Sequence, residues 1–336
     1  MKSFVTGATG FIGASIVREL LENNHEVRAL VRRGSDTSNL SGLDVELIAG
    51  DILDPPTFNI GMKGCDTLFH AAADYRLWTL KPEDMYRINV EGTVSVLQGA
   101  VNNGISKVVY TSSVGTLGNP GDGSPGDETT PVSFSDMVGH YKKSKFLAER
   151  EAEKFAAAGL PLVVVNPSTP VGPMDIKPTP TGKIIVDFLN RKMPAYLDTG
   201  LNIIPVEDCA RGHLLAAEKG KPGEKYILGN SNVTLHHIFL ILSEVTGIPA
   251  PKFKLPYFPI LVAAYLNEGI AKITEKEPLI PLAGVQMAAK YMYFDASKAI
   301  KALGLPQNSI ELALRRAVDW FIEKGYVKRN YSSKNA

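Results

Sequence analysis

The sequence predicts an α/β protein built on a doubly wound parallel sheet, followed by a smaller mixed α/β unit. Three observations carry this. From Ser3 to Val165 short apolar runs alternate with amphipathic segments, the rhythm of strands joined by crossover helices. The first alternation is broken by Thr6 to Gly13, which reads TGATGFIG. After about residue 170 the rhythm becomes irregular, so residues 1–170 are read as one unit and 171–330 as a second, substrate-binding one.

The glycine stretch comes first because it dictates what the first unit binds. Ser3 to Val5 reads as a strand and Ile12 to Leu21 as the helix that follows. Gly7 can take the backbone angles of a sharp turn. Gly10 has no side chain to hold a phosphate off the backbone, and Gly13 lets the helix lie close to the strand. Free N–H groups at the helix start, with the helix dipole, favour a pyrophosphate. The spacing G-x-x-G-x-x-G is one residue longer at the front than the common dinucleotide fingerprint. Gly7, Thr9, Gly10, Phe11 and Ile12 are therefore expected around the phosphates of a nucleotide cofactor on a Rossmann-type sheet.

Glu26 to Val31 is the second strand, and Arg32, Arg33, Gly34 and Ser35 follow it. A carboxylate here would bond the ribose hydroxyls and favour NAD. The Arg32 guanidinium can instead pair with a 2′-phosphate, so NADP is expected and NAD is allowed; the alternative is two solvated arginines. Val45 to Ala49 is the third strand. Asp51 is expected on the adenine amino group with Ile52 against the ring, the alternative being a plain strand-end turn. Asp66 to Phe69 is the fourth strand, after which Ala71, Ala72 and Ala73 let a cofactor lie close. His70 has a local-bonding alternative.

A helix is read from Pro82 to Val101. Asn89 is a poor residue for its interior, so a specific hydrogen bond is expected there. Lys107 to Ser112 is the fifth strand; it brings Thr111, Ser112 and Ser113 to the carboxyl edge, where open α/β sheets bind ligands. The loop Gly118 to Pro131, rich in Gly, Pro and Asp, is expected to be mobile. A helix from near Val138 to Ala158 carries Tyr141 and Lys145. Leu162 to Val165 is the sixth strand, and the prolines of NPSTPVGP hold the next loop extended.

Later helices are read at Gly182 to Arg191, Asp208 to Lys219, Leu235 to Val245, Ala296 to Leu303 and Ile310 to Lys324. Short strands are read at Ala195 to Leu197, Asn202 to Val206 and Lys225 to Leu228, with residues 201–228 returning to the first unit. Leu255 to Ile273 is apolar and interrupted by proline, and the polar tail after Val327 is expected to fray.

A net charge of +1 gives no electrostatic footprint for nucleic acid. Cys65 and Cys209 are too far apart in sequence to suggest a disulfide framework or a thiolate metal motif. The adjacent His236 and His237 diverge on a helix, so no metal site is expected. The run Tyr257 to Leu266 is too short to span a bilayer. With no room for a signal peptide before the first strand, a cytoplasmic protein is expected; a homodimer is allowed.

Tyr141 and Lys145 are four apart on one helix and share a face. A lysine cation there should lower the tyrosine pKa and give an acid/base able to work nearer neutrality. TGATGFIG, the strand ending TSS and Y-x-x-x-K together resemble the extended short-chain dehydrogenase/reductases over nearly the whole chain. The resemblance implies that Ser113 and Tyr141 are catalytic and that Lys145 bonds the nicotinamide ribose. It also implies that Asn89 is the family's helix asparagine and that Pro167 and Ser168 pack on the nicotinamide. ADYRLW from Ala73, GHYKKSKFLAE from Gly139 and NPSTPVGPMDIKPTPTG from Asn166 are similar to a hopanoid-associated sugar epimerase group related to dihydroflavonol reductases. That likeness implies a setting in bacterial hopanoid metabolism.

Two departures lean toward a reductase. No arginine from Gly220 to Thr234 matches the epimerases' diphosphate clamp, and NPSTPVGP does not look like their loop. The expectation is an NADP(H)-dependent oxidoreductase acting on the carbonyl or carbinol of a small, apolar substrate. Tyr75, Trp78, Ser113, Tyr196 and Leu255 to Leu266 would line its pocket. The alternatives are a sugar or sugar-nucleotide epimerase/dehydratase and an NADP-sensing regulator.

Overall fold

A computed structural model describes residues 1–327; the expected frayed tail lies outside them. The first half alternates as read: β1 (Lys2–Thr6), α1 (Phe11–Glu22), β2 (Glu26–Val31), β3 (Val45–Ala49), α2 (Pro55–Met62) and β4 (Thr67–His70). Next come α3 (Pro82–Tyr86), a π-helical turn at Arg87–Glu91, α4 (Gly92–Asn102), β5 (Lys107–Thr111), α5 (Gly139–Ala157) and β6 (Leu162–Pro167). The second half holds β7 (Thr169–Val171), α6 (Pro180–Leu189), β8 (Ala195–Leu197), β9 (Gly200–Pro205), α7 (Val206–Lys219) and β10 (Lys225–Leu228). It closes with β11 (Ser231–Thr234), α8 (Leu235–Thr246), β12 (Phe253–Leu255), α9 (Tyr257–Thr274), α10 (Leu282–Met287), α11 (Ser297–Leu303) and α12 (Ile310–Glu323).

The large sheet has seven strands in the order β10-β6-β5-β4-β1-β2-β3, and every pair in it is parallel. Strand order reverses beside β1, between it and β4, and an open α/β sheet binds ligands in that crevice. Both faces are covered, as the continuous apolar strands require. On one, Ile16, Val17 and Leu20 of α1 pack with Leu214 and Leu215 of α7 and Ala299 and Leu303 of α11. On the other, Phe58 and Met62 of α2 pack with Val96 and Leu97 of α4 and Ala148 and Ala152 of α5. A separate core joins α6, α8 and α12 over the small sheet β11-β9-β7.

Several elements depart from the reading. No element is read between Ile52 and Asp66, where α2 forms; Pro55 and Pro56 fall at its start, where a missing N–H costs nothing. Thr169–Val171 is extended as expected but pairs with β9 as a strand. Within residues 201–228, β10 joins the large sheet and α7 packs on it, while β9 belongs to the small one. The stretch from Phe294 to Leu305 also packs on the large sheet's core rather than on the second one. Pro259 does not interrupt α9, since it lies in the first turn.

Candidate active site

Thr6, at the end of β1, holds the crevice together. Its carbonyl accepts from Ala71 N at 3.2 Å and its hydroxyl from Ala72 N at 3.3 Å. Gly7 follows with φ of 72°. A Cβ there would lie 2.6 Å from Ala72 N, so only glycine fits between the turn and the strand-end alanines. A Cβ on Gly13 would lie 2.1 Å from Gly7 O, which fixes the start of α1 against the turn itself. α1 begins after Gly10 with no side-chain cap and no acidic residue in its first turn. Its leading N–H groups, at Phe11 and Ile12, carry no side-chain cap and are open to a ligand.

The other expected residues make contacts of their own. Thr9 accepts at its carbonyl from Asn39 at 3.3 Å. Arg32 and Arg33 are exposed. Asp51 Oδ1 accepts from Leu53 N at 2.9 Å, so half of this carboxylate serves the strand-end turn. Ile52 is buried, and a Cβ on Gly92 would lie 2.6 Å from its Cδ1; it belongs to the core under the crevice. His70 bonds Thr6 Oγ1 at 2.7 Å and Thr93 Oγ1 at 3.1 Å. Burial pushes its pKa down to about 3, so it is a neutral brace. Pro167 ends β6, and Ser168 N donates to Leu228 O at 2.9 Å.

β5 and α5 bring the reactive side chains together. The Tyr141 phenol lies in range of the Ser113 side chain, and Ser113 Oγ accepts from Gly115 N at 3.0 Å. Lys145, one turn on, is buried; its Nζ donates to Thr111 O at 2.7 Å and Tyr110 Oη at 3.1 Å. Burial pushes this ammonium down to about 8, against the pull of Glu149. Burial also raises the Tyr141 phenol, and the Ser113 bond opposes the rise. This corrects the expected lowering of the phenol by Lys145: the ammonium is spent on β5.

Asn89 makes the specific bonds expected of it, but to protein. Its amide donates to Asp74 O and Ser144 Oγ, each at 2.9 Å, and accepts from Asp74 N at 2.7 Å. It ties the loop after β4 to α5 from within the π turn. Among the expected walls, Tyr75 donates to Lys177 O at 3.0 Å and Trp78 is half-buried. The Tyr196 ring stacks on His236 at 4.8 Å, on the second core. In the run Leu255 to Leu266, Phe258 and Leu266 are 72% and 66% exposed. A helix has one buried face, and α9 buries only Ala264 and Ala271. It is α10 that meets the start of α5, where a Cβ on Gly139 would lie 3.0 Å from Ala283 Cβ.

The family model described as "NAD dependent epimerase/dehydratase family" matches residues 3–229. The chain belongs to this family. A protein of Synechocystis sp. with a provisional dihydroflavonol 4-reductase name is 50% identical over 97% of this chain and 96% of its own. The sterol demethylase protein B of Methylococcus capsulatus is 32% identical over 97% of this chain and 100% of its own. The solved structure of gox2253 is 46% identical, covers 97% of this chain and 99% of its own, and superposes with a TM-score of 0.87.

The crevice of this epimerase/dehydratase-family enzyme fits a dinucleotide on observations of its own. The Gly7 cradle leaves room only for backbone, and the start of α1 is uncapped. The buried Ser168 hydroxyl has no hydrogen-bond partner among the described residues. No group of metal-binding side chains occurs among the described residues, and no helix among them is long and apolar enough to cross a membrane.

The reading missed the residue on which the site stands. Glu149 is fully buried one turn beyond Lys145. It accepts from Ser112, from Thr116 at 2.7 Å, from Asn166 at 2.9 Å and from Lys225 at 2.6 Å. Burial works to raise this carboxyl, but Lys225 and the hydroxyl bonds outweigh it and hold the pKa down. Asn166 also donates to Ser113 O at 3.0 Å, which locks the turn carrying Ser113. The signal was present: Tyr141, Lys145 and Glu149 recur every four residues along one face.

Proposed function

We propose that this enzyme is an NADP(H)-dependent reductase or dehydrogenase of a small, apolar carbonyl or carbinol compound. One observation carries the reading: Tyr141 of α5 lies in range of Ser113 just beyond β5, with Lys145 one turn on bonded to Thr111 O at the end of that strand. Ser113, Tyr141 and Lys145 are then the catalytic residues, and the cradle with Ala71 to Ala73, Thr111, Pro167 and Ser168 takes the cofactor. Bound there, a nicotinamide dinucleotide supplies or accepts the hydride.

The protein's own residues do the rest. The Ser113 hydroxyl, held toward Tyr141, donates to the substrate oxygen and polarises it. Tyr141 gives that oxygen its proton in reduction and takes it in oxidation. A raised phenol pKa keeps the proton on Tyr141 at neutral pH, the state in which reduction starts. Lys145 fixes α5 to β5 through Thr111 O and Tyr110 Oη and so positions Tyr141; the family resemblance gives its ammonium the nicotinamide ribose as a further partner. The exposed Arg32 and Arg33 supply the preference for a 2′-phosphate.

The relative named for sterol demethylation and the provisional dihydroflavonol reductase name support an apolar substrate of ring-system size. Residues 220–234 contain no arginine to anchor a nucleotide diphosphate. Tyr141→Phe tests the assignment. Turnover of a reducible ketone should fall by roughly 10²–10⁴-fold while NADPH affinity stays within about twofold. Near-native turnover in the variant would reject Tyr141 as the proton donor.

A further inference from the structure

Beside Tyr141 stands a cation that the proposed chemistry does not use. Lys142 is half-buried, and its Nζ approaches only a thioether, Met292 Sδ, at 3.7 Å. Its side chain lies over the turn that carries Ser113. From the point where a Cβ on Gly115 would sit, Ser113 Oγ is 3.2 Å away, Lys142 Cγ 3.4 Å and Lys142 Cε 3.5 Å. The Lys142 stem thus packs over the same turn as the serine that polarises the substrate oxygen.

Among the described residues no anion answers this charge. The one other ionic group acting on Lys142 among the described residues is the ammonium of Lys290, which repels it. With burial as the main cause, this pushes Lys142 down to about 8, so it is still largely protonated at neutral pH. Lys290 is exposed and has Asp136 within electrostatic range. A half-buried ammonium left beside a thioether and a second cation is costly unless an anion completes it.

We infer that Lys142 forms an anion subsite and that the substrate carries a carboxylate close to its reacting carbonyl, as in a 3-oxo or 3-hydroxy acid. The carbonyl oxygen then sits on Ser113 and Tyr141 while the carboxylate reaches Lys142 across Gly115. A single ammonium with an apolar stem is a point charge suited to one carboxylate; a diphosphate would call for a bidentate guanidinium. This deepens the reductase reading and rests on it for the position of the carbonyl. It also adds a charge requirement that an apolar pocket alone would not impose.

The test is calorimetry on the protein loaded with NADP⁺, which cannot reduce a ketone, using benzoylacetate and its ethyl ester. The acid should bind at least about tenfold more tightly than the ester, the worth of one charge-assisted hydrogen bond. Lys142→Met should remove that preference and Lys142→Arg should keep most of it, with the ester as internal reference. Equal affinities in the parent protein, no measurable binding of either probe, or a preference that survives in Lys142→Met would overturn the subsite. Failure to bind NADP⁺ at all would sink the reductase reading together with it, whereas bound NADP⁺ with no acid preference would sink the subsite alone.

Discussion

Arg32 and Arg33 show what a single residue type settles at one place in a fold. They follow β2, where a carboxylate would bond the two ribose hydroxyls and repel a phosphate. Both side chains are exposed, and no ion pair at the described residues occupies either of them. The double variant Arg32→Ala, Arg33→Ala should bind NADPH at least about tenfold more weakly and change NADH affinity by less than about threefold. Titrating both cofactors into parent and variant measures this. An unchanged ratio of the two affinities would show that the arginines are merely solvated. The same scale contains the correction at Lys145. A cation four residues from a phenol on a helix can reach it, but β5 offers a carbonyl and a hydroxyl nearer, and the ammonium goes there.

α5 is the element that turns residues into a site. Its inner face presents Tyr141, Lys145 and Glu149 in successive turns, with Ser144 bonded to Asn89 beside them. The π turn holding Asn89 interrupts the run from α3 to α4 and aims that amide at the loop after β4; such turns are frequent at functional sites. Glu149 anchors α5 to β5 through Ser112, to β6 through Asn166 and to β10 through Lys225. Glu149→Leu would leave Ser112, Thr116 and Asn166 without their buried acceptor and Lys225 paired with Glu153 alone. Urea unfolding should show a loss of about 2–4 kcal/mol, the cost of leaving buried donors unpaired. Glu149→Gln, which keeps an acceptor, should lose less. A loss below about 1 kcal/mol in Glu149→Leu would refute the anchoring role.

At the scale of the whole molecule, two neutral histidines tie layers together and make stability depend on pH. His70 bonds β1 to α4 through Thr6 and Thr93; His213 bonds α7 to β5 through Thr111 Oγ1 at 3.0 Å. Burial lowers their pKa values from 6.5 to about 3 and about 4. The unfolded chain therefore binds protons first. Between pH 6.5 and 4 stability falls with acidification, by about 1.4 kcal/mol per pH unit for each histidine. Asp175 opposes this: burial raises it from 3.8 to about 6, so protonation between those values favours the fold. The slope of unfolding free energy against pH should thus be shallower in His213→Gln than in the parent across pH 4 to 6.5. Parallel slopes would show that His213 is not held neutral.

The expectations that came true share a cause: they depend on neighbours in sequence. The glycine turn, the alternation of apolar runs with amphipathic helices, and the four-residue step from Tyr141 to Lys145 are local patterns whose geometry the backbone fixes. From these the doubly wound sheet and the order of its first six strands could be named. Contacts between distant segments could not. That Glu149 meets Lys225, that Asn89 spends its amide on Asp74, and that Tyr196 stacks on His236 each require chain segments to be brought together by packing. α9 shows the same limit from the other side. An apolar run states that burial would be favourable, but which of its faces is buried depends on what the rest of the molecule sets against it. Sequence by itself determined the fold's type and the chemistry it carries; only tertiary structure decided which charges are answered within the protein and which, like Lys142, are left for something else to meet.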